Sequence, residues 1–312
     1  MNQDFQTVAS DLPAAAVGKD PATGSGVRRF ISYPATLLVT GIALMIAAAA
    51  AASVIGHWIP QGKYDPATLV VAMIAVAIFI ALYYVLVHWV ERAPFRDLAV
   101  GGAGRELARG ILLGAGLFTL VVAIAAAIGV YTIGPVNPWQ TIWPMLAMAI
   151  FSGVSEEILF RGIIFRYVER MAGSWIALLI SAAIFGGAHL ANPNASPIAA
   201  IAIAIEAGLL LGAVYMLTRR LWAAIGLHAA WNFTQGWIFG VPVSGAKESG
   251  IIEGQLDGAT LLTGGVFGLE ASIIAMVVAT AAGVIVLTLA IRRGRLVAPS
   301  WRRRSSAAPV FT

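Results

Sequence analysis

The sequence predicts an all-α, polytopic membrane protein of eight transmembrane helices with its N-terminus and C-terminus cytoplasmic, and three observations carry that expectation. Of the 312 residues, 59% are apolar and 11% charged, with a mean hydropathy of +0.85. That much apolar surface cannot be hidden in one water-soluble core, so lipid must be part of the solvent. The apolar residues fall in runs of about 20, the length that crosses the hydrocarbon. The basic residues cluster between those runs and, with the N-terminus inside, divide 18 to 2 in favour of the cytoplasmic side, the bias that orients membrane helices.

Taken in order, residues 1–29 read as a disordered cytoplasmic tail: the stretch is polar and contains Gly, Ser and Pro, without the apolar segment of a signal peptide. Spans are expected at roughly 32–56, 67–89, 108–131, 141–166, 174–190, 197–218, 221–240 and 267–291, within a transmembrane domain over 30–292. A basic cytoplasmic tail occupies 293–312. Lys19, Arg28 and Arg29 then lie inside, as do Arg92, Arg96, Arg105 and Arg109, then Arg161, Arg166 and Arg170, then Arg219 and Arg220. Arg292, Arg293, Arg295, Arg302, Arg303 and Arg304 complete the cytoplasmic set. Only Lys63 and Lys247 fall outside, and adding or removing one span destroys the division. Trp58, Tyr64, Trp89, Trp139, Trp143, Trp222 and Trp237 sit near span ends, as an aromatic belt would. Gly110 with Gly114 and Gly208 with Gly212 have the small-residue spacing of close helix contacts. The stretch 241–266, with Lys247, Glu248, Glu253 and Asp257, is a polar external loop without an assigned purpose.

These features exclude several classes. A net charge of +5 and a pI near 9.8 would suggest nucleic acid in a soluble domain, but here the basic residues serve topology, and nucleic acid is not an expected partner. The absence of Cys rules out a disulfide framework, a thiolate zinc site and a cysteine nucleophile. The Ala, Gly and Val bias, with three Lys among twenty basic residues, points to a GC-rich bacterial genome and so to an inner (plasma) membrane.

A charge at the bilayer centre costs at least about 2.5 kcal/mol and usually marks function. The fourth span carries Ser152, Ser155, Glu156, Glu157 and Arg161; the fifth carries Phe185 and His189; the sixth has Glu206; the seventh has His228, Asn232 and Gln235. Glu157 and Arg161 are an i,i+4 pair in the favoured orientation and can neutralise each other. Glu156, turned about 100° away, is left free to face another helix. His228 and Asn232 share a face of the seventh span, and Phe185 and His189 repeat the spacing on the fifth. If the fourth and fifth spans turn near residue 172, Glu156 and His189 are level, and a hairpin projecting into the cytoplasm would put the site in the cytoplasmic half of the membrane. A free carboxylate, two imidazoles and an amide in a shielded cavity suit a Glu-activated water, with His and Asn donors for an oxyanion. Alternatively Glu156, His189 and His228 could hold Zn²⁺ with an open water position. Glu206 reads as a structural partner for a neighbouring Arg or His, or as a wall of the cavity. Ser155 reads as a packing residue.

Glu156-Glu157-xxx-Arg161, Phe185-xxx-His189 and His228-xxx-Asn232, in that order on successive spans, resemble the three motifs of the CPBP intramembrane proteases, also called the CAAX protease or ABI family. The resemblance covers roughly residues 140–240. It implies an intramembrane endopeptidase that hydrolyses a peptide bond of a membrane-associated protein or peptide from the cytoplasmic side. Glu156 with His189 would activate water, His228 with Asn232 would stabilise the oxyanion, and Glu157, Arg161 and Phe185 would support them. The family is named as glutamate-type or as metalloprotease, so zinc stays open as a cofactor. Membrane lipid and a membrane-associated substrate are the implied partners. A non-catalytic scaffold or bacteriocin-immunity protein, or a proton- or ion-coupled transporter using Glu156, Glu206 and His228, are the alternatives.

Overall fold

The computed structural model describes residues 26–60, 62–247 and 249–303. The expectations for residues 1–25, including Lys19, for Glu248, and for 304–312, including Arg304, lie outside the described residues. Residues Gly26–Ile31 form a short helix, α1, so the last residues of the stretch read as tail are helical. Next come α2 (Pro34–Trp58), α3 (Ala67–Tyr84, continued by a π-helical segment Val85–Val90) and α4 (Ala103–Ala127). Strand β1 (Tyr131–Val136) leads to α5 (Ile142–Glu157), which runs through a π segment, Ile158–Phe165, into α6 (Arg166–Ala188). His189–Ala191 adds a 3-10 turn. Helix α7 (Pro197–Ile203), a π segment Ala204–Gly208 and α8 (Leu209–Thr218) form one continuous rod. Helix α9 (Trp222–Phe233) continues into a π segment, Thr234–Ile238; then follow β2 (Ile252–Leu256), α10 (Thr260–Thr263) and α11 (Ile273–Arg292).

Among the described residues, six helical stretches are long and apolar enough to cross a membrane: Pro34–Trp58, Ala67–Val90, Ala103–Ala127, Trp139–Ala191, Pro197–Thr218 and Ile273–Arg292. The fourth of these, 53 residues long, reverses at Gly173, whose φ of 81° breaks the helix. Ser181 Oγ donates to Phe160 O at 3.0 Å, and the Phe160 and Phe185 rings meet edge to face at 4.8 Å, so the second limb lies back along the first. The turn expected near residue 172 is therefore present. The seventh expected span corresponds to α9 and its π segment. The third and eighth are displaced: α4 begins at Ala103 rather than 108, and α11 at Ile273 rather than 267.

Hydrogen bonds sort the loops into two groups. At one end, Arg166 pairs with Asp97 at 2.8 Å and Glu91 at 3.0 Å, Arg170 with Glu91 at 2.8 Å, Arg219 with Glu169 at 2.5 Å, and Arg220 with Glu106 at 2.8 Å. Arg219 also donates to Arg295 O, and Ser174 N to Val297 O at 3.0 Å. The segments after α3, at Gly173, between α8 and α9, and after α11 thus share an arginine-rich end. At the other, Tyr64 bonds Ser249 at 3.1 Å, Asn137 bonds Gly250 O at 3.1 Å, and Asn194 bonds Gly245 O at 2.9 Å. There β1 pairs antiparallel with β2, a two-stranded sheet that corrects the purely helical expectation. The polar 241–266 stretch is therefore partly strand.

The expected glycine contacts exist. A Cβ on Gly110 would stand 2.2 Å from Ala223 O and one on Gly114 2.2 Å from Leu227 O, so α4 lies backbone to backbone on α9 as small residues permit. Gly208 and Gly212 instead meet the side chains of Ala182 and Leu178 on α6.

Candidate active site

Glu156 and Glu157 end the α-helical part of α5, and the π segment that follows carries Arg161. Two further π segments hold Glu206 and follow Asn232; such bulges concentrate at functional sites, because the extra residue per turn re-aims side chains. Arg161 is fully buried, as is Glu157. Its Nη1 donates to Glu157 Oε1 at 2.8 Å and its Nη2 to Ala207 O at 3.2 Å. The guanidinium also lies 4.6 Å from the Phe185 ring centroid. A buried charge persists only when paired and hydrogen-bonded, and here the expected i,i+4 pair supplies the partner.

The same Glu157 Oε1 accepts from His228 Nδ1 at 3.0 Å. That bond fixes the ring, since a carboxylate can only accept, and turns Nε2 away from Glu157. Glu156 Oε2 lies 3.9 Å from His228 Nε2, is buried and has no hydrogen-bond partner. A gap of 3.9 Å is too long for a direct bond, but a water about 2.8 Å from both atoms would bridge them at an angle of about 90°.

His189 Nδ1 donates to Phe185 O at 2.7 Å, which leaves its Nε2 free. Phe185 is the hub: its ring centroid lies 4.8 Å from that of His189 and 6.0 Å from that of His228. Asn232 Nδ2 donates to Ser152 Oγ at 3.0 Å, one turn before Glu156 on α5. Ser155 back-bonds to Phe151 O at 2.7 Å, the packing role expected of it. The structure thus gathers all seven motif residues, but joins His228 to both glutamates and gives His189 its hydrogen bond through the backbone of Phe185.

A cavity beside these groups offers about 30 Å³ to the centres of water-sized molecules, space for about two waters. Phe185, His189, His228, Trp231 and Asn232 line it, together with Glu206, Ser244 and Glu270. Among the described residues Glu206 pairs with no Arg or His within ion-pair distance, and it lines the cavity. Glu270 was missed, because it sits at the head of an apolar run and resembles the start of a span. Its carboxylate accepts from Ser244 N. Burial pushes Glu270 up to about 7, against the opposing hydrogen bonds from Ser244 and Gln235.

Ser244 and Glu270 belong to the loops opposite the arginine-rich end, so the cavity runs from mid-depth toward that opposite end. The expected placement in the cytoplasmic half rested on a projecting α5–α6 hairpin. The Glu169–Arg219 pair, at 2.5 Å, instead holds the base of the hairpin level with the α8–α9 turn. Glu156 lies thirteen residues from Glu169, roughly 20 Å along the helix.

Among the described residues, no three His, Asp or Glu side chains form a group that could hold a metal ion. Glu156, His189 and His228, the ligands of the zinc alternative, are thus not assembled as a ligand group in this structure.

Residues 138–234, about a third of the chain, match the family model of the Rce1-like type II CAAX prenyl endopeptidases. All seven motif residues and Glu206 fall inside that match, and the segment is similar to the CPBP family. No curated protein matches the chain, and neither does any solved structure.

Proposed function

We propose that the chain is an intramembrane endopeptidase in which Glu156 activates water to hydrolyse a peptide bond of a membrane-associated protein or peptide. The observation that supports this reading is the division of labour between adjacent carboxylates: Glu157 is held by Arg161 and orients His228 through Oε1, while Glu156 makes no hydrogen bond among the described residues and holds Oε2 3.9 Å from His228 Nε2. A water accepted into that gap gives its proton to Glu156 as its oxygen bonds to the scissile carbonyl carbon. Asn232 Nδ2, and His228 Nε2 once protonated, would donate to the developing oxyanion. The proton then passes to the departing amine as the C–N bond breaks. His189, locked through Nδ1, lines the cavity that His228 also lines and assists the water from that side. No step runs through a metal.

Eight crossings fit the loop grouping: each pair of consecutive long limbs starts and ends at the arginine-rich end, which the basic-residue bias assigns to the cytoplasm of the plasma membrane. Both termini then lie in the cytoplasm, flanking a membrane domain over 30–292.

The test is cleavage of a library of membrane-tethered peptides by the purified protein in detergent, beside Glu156→Gln and Asn232→Ala, with and without chelator. Cleavage by the parent, lost in both folded variants and indifferent to chelator, is expected. An inert parent protein across a broad library, or full activity in Glu156→Gln, overturns the reading; loss of cleavage on chelation overturns the metal-free mechanism.

A further inference from the structure

Glu206 and Glu270 are buried acids that the mechanism leaves unused and that, unlike Asp97 and Glu169, form no ion pair among the described residues. Glu206 stands on the π segment between α7 and α8, Glu270 in the 3-10 turn before α11, and both line the cavity that His228 and Asn232 share. Glu206 is 2% exposed and Glu270 3%. Among the described residues no Lys, Arg or His lies within ion-pair distance of either. Glu206 Oε2 is buried without a hydrogen-bond partner, and its residue forms part of the cavity wall.

Buried carboxylates are normally paired with a cation or fully hydrogen-bonded. Structural packing accounts poorly for two unpaired acids on facing elements, since apolar residues of similar volume would hold the same helices at less cost. Ile203, Leu210, Leu211, Ala279 and Trp231 give the wall an apolar part, beside the polar His189, His228, Asn232 and Ser244. An apolar sleeve ending in carboxylates complements an alkyl stem with a cationic head, and an aromatic face adds to the attraction for that head. An ammonium head is about the size of one water, and the cavity has room for about two.

We propose that Glu206 and Glu270 form an acidic subsite that takes the cationic head of a basic substrate side chain adjoining the scissile bond. The proposal rests on the peptidase reading for its substrate but not for its chemistry, since the subsite would bind a small alkylammonium ion whether or not the protein cleaves anything. The upward push that burial gives Glu270 accords with an acid that awaits a cation.

Two measurements separate the proposal from the peptidase reading. The first is thermal unfolding of the detergent-solubilised full chain in n-butylammonium chloride against equal sodium chloride. Preferential binding to the folded state raises the midpoint, and a rise of about 2 °C or more is expected, absent in Glu206→Gln and in Glu270→Gln. The second is the ratio of kcat/KM for peptides carrying Lys or norleucine at each position flanking the cleaved bond. A ratio of about 10 or more in favour of Lys is expected at one position, falling toward one in either variant. An alkylammonium shift without any cleavage sustains the subsite and sinks the peptidase reading. Cleavage with a Lys to norleucine ratio near one, and no shift, sinks the subsite: the two acids then only share a proton.

Discussion

Replacing Glu270 with Gln isolates one buried ionisation and predicts a sign as well as a size. Burial beneath the 241–272 segment pushes Glu270 from 4.5 up to about 7. The folded-state value is the higher one, so between about pH 4.5 and pH 7 the folded chain holds a proton that the unfolded chain has lost. Stability contributed by this group is therefore full below pH 4.5, falls as pH rises through that window, and is level above it. A shift of about 2.5 units at about 1.4 kcal/mol each gives ~3 kcal/mol, and at 3% exposure solvent screening takes little from it. Gln keeps the size of the protonated acid and an oxygen to accept from Ser244 N, but cannot ionise. The variant is expected to match the parent near pH 4.5 and to exceed it by ~3 kcal/mol at pH 8. Denaturant titration in mixed micelles, run at intervals from pH 4.5 to 8.5, reads the difference directly, because every other titrating group is common to both proteins. Parallel stability curves would refute the buried, uncompensated carboxyl; a gap widening toward low pH would refute the sign.

Two further contrasts test the site and its frame. Glu157→Gln strips a fully buried Arg161 of its counter-charge and should cost about 3–5 kcal/mol, whereas Glu156→Gln, whose side chain is 31% exposed, should change stability by less than about 1 kcal/mol while abolishing cleavage; equal melting temperatures for the two would contradict the assigned roles. Gly114→Ala would drive a Cβ to 2.2 Å from Leu227 O, forcing α4 off α9 at a cost of about 1–3 kcal/mol and disturbing His228 and Asn232 on α9. Gly116→Ala, with open space at its Cβ, is the control on the same helix and should be neutral or slightly stabilising.

Local signals made much of this architecture legible. Length and apolarity set each span, and the Gly110/Gly114 spacing foretold the α4–α9 contact because small residues act through the backbone of their own helix. The i,i+4 pairing of Glu157 with Arg161 was equally local. What escaped depended on distant partners. Strands β1 and β2 pair across about 120 residues of intervening chain, and their short polar stretches carry no pattern to announce it. Glu270 was hidden by the apolar run it precedes. The ion pair at the base of the hairpin, between Glu169 and Arg219, joins residues 50 apart, and no helical spacing reveals it.

Spacing alone also does not explain why neighbouring glutamates take opposite roles. A rotation of about 100° separates Glu156 from Glu157, which decides that they face different surroundings but not which faces inward. The π segment beginning at Ile158 settles that. Its wider turn lets Arg161 reach Glu157 on one side and Ala207 O, on the rod carrying Glu206, on the other. Arg161 is thereby tied to three elements: its own helix, the α7–α8 rod, and α6 through the Phe185 ring. With the guanidinium fixed, Glu157 is committed through Oε1 to it and to His228, and Glu156 is the carboxylate left without any hydrogen bond among the described residues. Arg161→Lys therefore tests the arrangement without removing its charge. An ammonium has no planar fork to hold two acceptors in set directions, so Glu157 is released from its fixed orientation and His228 with it. The expected result is a fall in kcat of at least about tenfold, with KM nearly unchanged; a loss confined to KM would show that Arg161 serves substrate binding rather than the order of the catalytic groups.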